Sequence, residues 1–254
     1  MENLISDEVK ELIHNLKNII EENDQVEIMH IFNLPIINSL WKIISSKRLD
    51  IRNPDEKRKM ENLAEIFATF GVFGVTKVLA YKLPFWIGKK IPLMQKYRNL
   101  FTNLLTWFQN EYIEHEKTLD PDSPRDFMDA YICERNKANE QQNEKSSFFG
   151  ENGEANFGMS MADLFLAGSE TTSTSLTWAI LYMLENPEPF KKAQVELNQV
   201  VGTSRLPEYS DRPNLPYFEA LLAELMRKAN VAPFAIFHIN EEESYISGFR
   251  YNIF

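Results

Sequence analysis

Glycine makes up only 9 of the 254 residues, and strand-and-turn proteins need more of it, so helix is the expectation. A single cysteine, Cys133, cannot close an internal disulfide or build a multi-thiolate zinc or iron-sulfur site. The four histidines, His14, His30, His115 and His238, lack metal-ligand spacing, so no metal site is expected from them. Basic residues are in deficit, 27 Lys and Arg against 37 Asp and Glu, which argues against a nucleic-acid partner. After Met1 the chain runs directly into Glu, Asp and Lys, without the apolar middle of a signal peptide. Long hydrophobic runs are also lacking. Ile66 to Val75 is apolar for about ten residues, against the roughly 20 that a bilayer requires. Leu164 to Leu184 is long enough, but Glu170 and a run of Ser and Thr occupy its centre, the pattern of a buried soluble helix with a polar middle.

What is present is helical periodicity. Ser6 reads as an N-cap followed by apolar Val9, Leu12, Ile13, Leu16 and Ile19. Ile28 to Ile44 repeats the pattern, with Pro35 marking a kink or break, and Asp55 to Ala80 forms another helical stretch. Leu93 to Ile113 carries the longest clean stripe, and Ser123 and Pro124 read as N-cap and first residue of the helix after it. Residues 136–158, rich in Asn, Gln, Glu and Ser, read as an exposed, mobile linker that only Phe148, Phe149 and Phe157 can anchor. One long helix is expected over Met159 to Leu184, then shorter ones over Pro189 to Val201 and Leu215 to Ala229. Phe234 to Ile239 and Tyr245 to Ile253 read as short strands. The fold class is therefore mainly α with a short C-terminal β segment.

On the long helix Leu164, Ala167, Gly168 and Thr171 recur at spacings of three and four, which puts two small residues and a hydroxyl on one face as a notch. Helix packing alone would also explain such a notch. Glu170 is harder to dismiss, because a carboxylate in the middle of a buried helix is costly unless it is paired, hydrated or used. An acid beside the Thr171 hydroxyl, next to a notch, suits proton delivery into a dry site.

Ala167-Gly168-Ser169-Glu170-Thr171-Thr172, preceded by Asp163-Leu164-Phe165, resembles the oxygen-activating helix motif A-G-x-D/E-T-T/S of the cytochrome P-450 superfamily of haem-thiolate monooxygenases. Glu224-Leu225-Met226-Arg227, 54 residues after Glu170, resembles that family's E-x-x-R pair, although any exposed helix can carry such a pair. The segment from Pro124 to Tyr131 is similar to the corresponding stretch of the microsomal, drug- and steroid-metabolising group. The resemblance implies that residues 1–254 are the central portion of a single P-450 domain. It implies that Ala167 and Gly168 let the helix lie against haem, that Thr171 serves iron-bound dioxygen, and that Glu170 relays protons. It further implies that Glu224 and Arg227 form a buried structural pair. His238 would reach a haem propionate, unless it is an ordinary strand-end histidine. Leu164, Phe165, Ala232 and Ile236 match substrate-contacting positions, with plain core packing as the alternative for each.

The implied reaction is insertion of one oxygen atom from O2 into an apolar small molecule, with electrons from NADPH through a reductase partner. The complete protein would contact the endoplasmic reticulum membrane. The family's axial cysteine loop, F-x-x-G-x-R-x-C-x-G, is expected after the E-x-x-R helix and does not occur in this sequence, and Cys133 lacks its frame. The chain alone is therefore expected to be inactive, with no iron ligand of its own. The alternative is a non-catalytic helical remnant without haem chemistry.

Overall fold

The computed structural model describes residues 2–23, 25–72, 90–233 and 243–251. It is mainly α-helical and divides into two compact units, residues 1–173 and 174–254. Among the described residues no helix is long and apolar enough to cross a membrane.

In the first unit α1 spans Glu2–Glu22, so Ser6 lies inside the helix rather than capping it. The buried Glu8 of α1 is satisfied by Arg48, whose Nε donates to Oε1 at 2.6 Å. Helix α2, Asn33–Ser45, has Pro35 in its first turn, where the missing N–H costs nothing, so the proline starts the helix instead of kinking it. Ile37, Trp41 and Ile44 recur every three or four residues and are buried together. Helix α3 runs over Pro54–Val72, and α4 over Pro92–Lys117. Leu100, Leu104, Trp107, Phe108 and Tyr112 form the buried stripe of α4. Helix α5, Phe127–Glu140, is capped by Asp126, whose side chain accepts from the Asp129 backbone N–H at 3.0 Å, three residues later than the Ser123 cap expected.

The presumed linker is largely helical. Helix α5 continues to Glu140, and α6 begins at Gly150 and runs 36 residues to Glu185, about 54 Å at about 1.5 Å per residue. Glu151, Asn152, Glu154 and Asn156 in its first turns are exposed, while Phe157 is fully buried, with ring centroids 4.5 Å from Tyr112 and 5.2 Å from Tyr131. Tyr131 also donates to the Gly153 carbonyl at 3.0 Å, and Phe148 sits 4.9 Å from its ring. A Cβ on Gly153 would collide with the Phe148 carbonyl, so only glycine allows the chain to fold back there. Composition hid this because two phenylalanines, Phe148 and Phe157, suffice to anchor an otherwise polar stretch.

The centre of the first unit is aromatic. Trp41 of α2, Trp107 and Phe108 of α4 and Phe165 of α6 meet with centroid separations from 4.4 to 6.0 Å, mostly tilted or edge-to-face.

The second unit contains the end of α6, α7 over Pro187–Val200, a 3-10 helix over Tyr209–Asn214 and α8 over Pro216–Ala229. Arg205 clamps Asp211 with two hydrogen bonds of 2.7 Å, which holds that carboxyl down at about 2. Strands β1, Ser244–Ile246, and β2, Phe249–Tyr251, pair antiparallel. Ser247 and Gly248 both have positive φ, +51° and +84°, the signature of a two-residue hairpin turn. Within the β-like stretch expected over Tyr245 to Ile253, the described residues through Tyr251 thus form a hairpin. The strand expected over Phe234 to Ile239 lies outside the described residues.

Candidate active site

Successive residues of an α-helix point about 100° apart, so the sequence motif on α6 is distributed around the helix rather than gathered on one side. Phe165 and Ser169 point inward: Phe165 is fully buried, and the Ser169 hydroxyl donates to the Phe165 carbonyl at 2.7 Å. Phe165, expected to touch substrate, is therefore a core residue wedged among three other rings. Gly168 faces α2, where a Cβ would meet Leu40 Cδ1 at 3.1 Å. The missing side chain of Gly168 thus has a packing reason in this structure, the simpler of the two readings of the notch.

Leu164, Ala167 and Thr171 remain together on the outward face, with Leu164 45% exposed. The Thr171 hydroxyl donates back to the Ala167 carbonyl at 2.6 Å, a local bond that holds the oxygen close to the helix surface. Glu170, one position round, is half-buried and turns toward α2 and α3, where it lines a small cavity with Asn33 and Ser169. The acid and the alcohol are therefore neighbours in sequence that look in different directions. The outward face is small at Ala167, apolar at Leu164 and hydroxylated at Thr171.

In the second unit Glu224 and Arg227 do pair, with two parallel hydrogen bonds of 2.7 Å. Within residues 1–254 the pair is open to solvent rather than buried, with side chains 48% and 68% exposed. Residues three apart share a helix face, and α8 turns the neighbouring face, that of Leu225, inward. The Arg227 guanidinium holds the Glu224 carboxyl below its ordinary value. Ala232 is exposed just past the left-handed cap Asn230. Ile236 and His238 lie outside the described residues.

Cys133, half-buried on α5, has its thiol pushed up by burial first and by Asp129, Glu134 and Asp120 after that, the opposite of what a metal-ligating thiolate needs.

Sequence reasoning missed one polar cluster. His115, buried in the last turn of α4, approaches the Glu111 carbonyl with Nδ1 at 2.8 Å and Asp126 Oδ2 with Nε2 at 3.1 Å. Asp129, fully buried, accepts from Arg125 through both oxygens, at 2.6 and 2.9 Å. The ligating atoms of His115, Asp126 and Asp129 lie within 4.8 Å of one another, but the Arg125 guanidinium already neutralises Asp129, so the cluster is a satisfied network. Its signal was available: His115 continues the buried stripe of Leu104, Phe108 and Tyr112.

The cytochrome P-450 family model matches residues 1–253. Cytochrome P-450 18a1 of Drosophila melanogaster is 29% identical over 98% of this chain and 46% of its own length. Cytochrome P-450 2B19 of Mus musculus is 30% identical over 98% of this chain and 49% of that protein. Cytochrome P-450 2D3 of Rattus norvegicus is 31% identical over 98% of this chain and 48% of its own length. The chain spans about half the length of the curated relatives it matches. With the family model matched across residues 1–253, the chain belongs to the cytochrome P-450 family.

Proposed function

We propose that the complete protein is a haem-dependent monooxygenase that converts an apolar substrate RH, with O2, NADPH and a proton, into ROH, water and NADP+, the electrons arriving through a reductase. Bound haem would supply the iron at which dioxygen is reduced. The observation that carries this reading is the outward face of α6, where Ala167 and Thr171 are both exposed beside half-buried Glu170.

Each residue has a task that follows from its chemistry. Ala167 is small enough for a planar macrocycle to lie against the helix. Leu164, with Ala232 and Ile236, would present apolar surface to substrate and exclude water from it. Thr171 would turn its hydroxyl proton from the Ala167 carbonyl toward an oxygen bound on the open face and stabilise negative charge developing there. Glu170 holds and passes protons. His238 would reach a haem propionate, and Gly168, whose lack of a side chain serves packing here, would also keep the helix backbone close to the cofactor. Glu224 and Arg227 would be a structural pair, covered in the complete protein by chain outside residues 1–254. The axial thiolate would come from outside these residues too, so this chain alone would bind no iron productively. We assign the complete protein to the endoplasmic reticulum membrane because the Pro124 to Tyr131 segment is similar to the microsomal group.

The test is Thr171→Ala in the complete protein. Haem and substrate binding should be retained while product per NADPH falls about tenfold or more and hydrogen peroxide appears instead. Unchanged product per NADPH would overturn the relay reading.

A further inference from the structure

Helices α3 and α4 run antiparallel, because their cross-links step in opposite directions along the chain. Glu65 pairs with Lys96, the Asn62 amide donates to the Leu100 carbonyl at 3.0 Å, and the Lys59 ammonium lies 4.9 Å from the Trp107 ring centroid. Toward the start of α3 the facing side chains leave a groove of about 510 Å³, lined by residues of these two helices. Small-molecule sites typically measure about 300–1,000 Å³, so the groove is of that class. It shares no residue with the outward face of α6.

Its walls combine cations, neutral donors and one unmet hydrogen bond. Arg58 approaches Asp55 at 3.4 Å, but both side chains are largely exposed, so the contact is solvent-screened and worth little. Lys59 is half-buried and makes no ion pair among the described residues. Glu111, the acid of the lining, is already taken by Lys47 at 2.5 Å. The groove therefore keeps an excess of positive charge. Exposed Asn103 and Asn110 bring amides from α4, while the Thr106 hydroxyl donates to the Thr102 carbonyl at 2.8 Å and has lone pairs left to offer. Trp107 is the independent pointer to a ligand: it is 6% exposed, and its indole Nε1–H meets no acceptor among the described residues. A buried donor without a partner is costly, and folded proteins rarely keep one unless something else supplies the acceptor.

We propose that this groove binds a phosphorylated polyol the size of a sugar phosphate, with Arg58 and Lys59 on the phosphate, Asn103, Asn110 and Thr106 on the hydroxyls, and Trp107 Nε1 donating to a ligand oxygen. A phosphate monoester carries close to two negative charges at pH 7, which matches the two cations. Its oxygens suit the fork of a guanidinium. Polyol hydroxyls both donate and accept, as amides and the Thr106 oxygen require. An inorganic ion would leave most of the volume unfilled. The apolar members of the lining, Leu104 and Trp107, are buried, so no exposed apolar side chain in it would hold an acyl chain, which favours a soluble ligand over a lipid headgroup.

Isothermal titration calorimetry of the complete, haem-loaded protein tests the site with glucose 6-phosphate as the probe. Binding should saturate with a Kd below about 1 mM and be about tenfold tighter than that of glucose or of inorganic phosphate. Arg58→Gln and Lys59→Gln lie outside the aromatic core and should each weaken it about tenfold at unchanged haem content. Trp107→Phe keeps a ring but removes the donor, and should weaken it about fivefold. Because Trp107 is a core ring, Asn110→Ala at an exposed position is the second check, with a loss of about the same size. No saturable heat up to about 10 mM probe, or parental affinity in both Arg58→Gln and Lys59→Gln, would overturn the site. Equal affinity for inorganic phosphate would overturn the polyol. Binding to phosphatidylcholine vesicles that carry phosphatidylinositol 4-phosphate, with none to glucose 6-phosphate, would overturn the proposal in favour of a lipid headgroup.

Discussion

His115 Nε2 and Asp126 Oδ2, 3.1 Å apart, tie the last turn of α4 to the N-cap of α5. Both ring nitrogens of His115 face pure acceptors, the Glu111 carbonyl and the Asp126 carboxylate, so only the imidazolium satisfies both. The hydrogen bond to Asp126 therefore raises the His115 pKa above its ordinary 6.5, against the opposing effect of burial. Asp129 is lowered by Arg125, and Asp126 is lowered because the bonds from His115 and the Asp129 amide together outweigh its burial. Stability from His115 is present in full below about pH 6.5 and is lost as pH rises through its higher folded value. Stability from the two carboxylates is present above about pH 3.8 and lost in acid. The melting temperature of the chain should therefore peak between these limits and fall on going from pH 6 toward pH 9. His115→Gln should flatten that alkaline fall, and thermal melts across pH will show whether it does.

Phe165→Ala should remove a fully buried ring from the Trp41, Trp107 and Phe108 cluster and cost about 3–5 kcal/mol. Urea titration measures it. A substrate-contacting residue exposed in a pocket would show little loss, so a cost under about 1 kcal/mol would return Phe165 to the binding site.

Gly168→Ala sets two small effects against each other. Alanine favours the helix by about 1 kcal/mol, while its Cβ requires Leu40 to move by a few tenths of an ångström. The expected result is near neutrality. Gly168→Val adds two further methyls at the same contact and should destabilise by about 1–3 kcal/mol. Equal stability of the two variants would show that α2 does not constrain this position.

Arg227→Ala should leave the melting temperature of this chain within about two degrees of the parent, because the pair with Glu224 is solvent-screened. In the complete protein the same variant should lose folded, haem-loaded protein if chain outside residues 1–254 buries the pair. The contrast between the two backgrounds measures that burial directly.

Haem-reconstituted, reduced chain should lack the red-shifted carbon monoxide band of thiolate-ligated iron. Cys133 is the one cysteine in the sequence, and burial keeps its thiol protonated. A band of that type that disappears in Cys133→Ser would make Cys133 the ligand.

The sequence by itself determined the helical class, the stripe of α4, the long helix through Glu170 and Thr171, and the family. Each of these is written in local periodicity or in contiguous residues, which need no partner element to be read. Direction and surroundings were decided only by tertiary structure. The motif around Ala167 reads as one surface, yet α2 claims Gly168, the aromatic core claims Phe165, and Glu170 turns to a cavity that α2 and α3 complete. Residues 136–158 read as a linker because composition averages over side chains, whereas buried Phe157, with Phe148 against Tyr131, fixes the start of α6. The His115 and Asp126 pair escaped sequence reading because a loop turns α5 back on α4, and contact across a turn depends on where both helices pack.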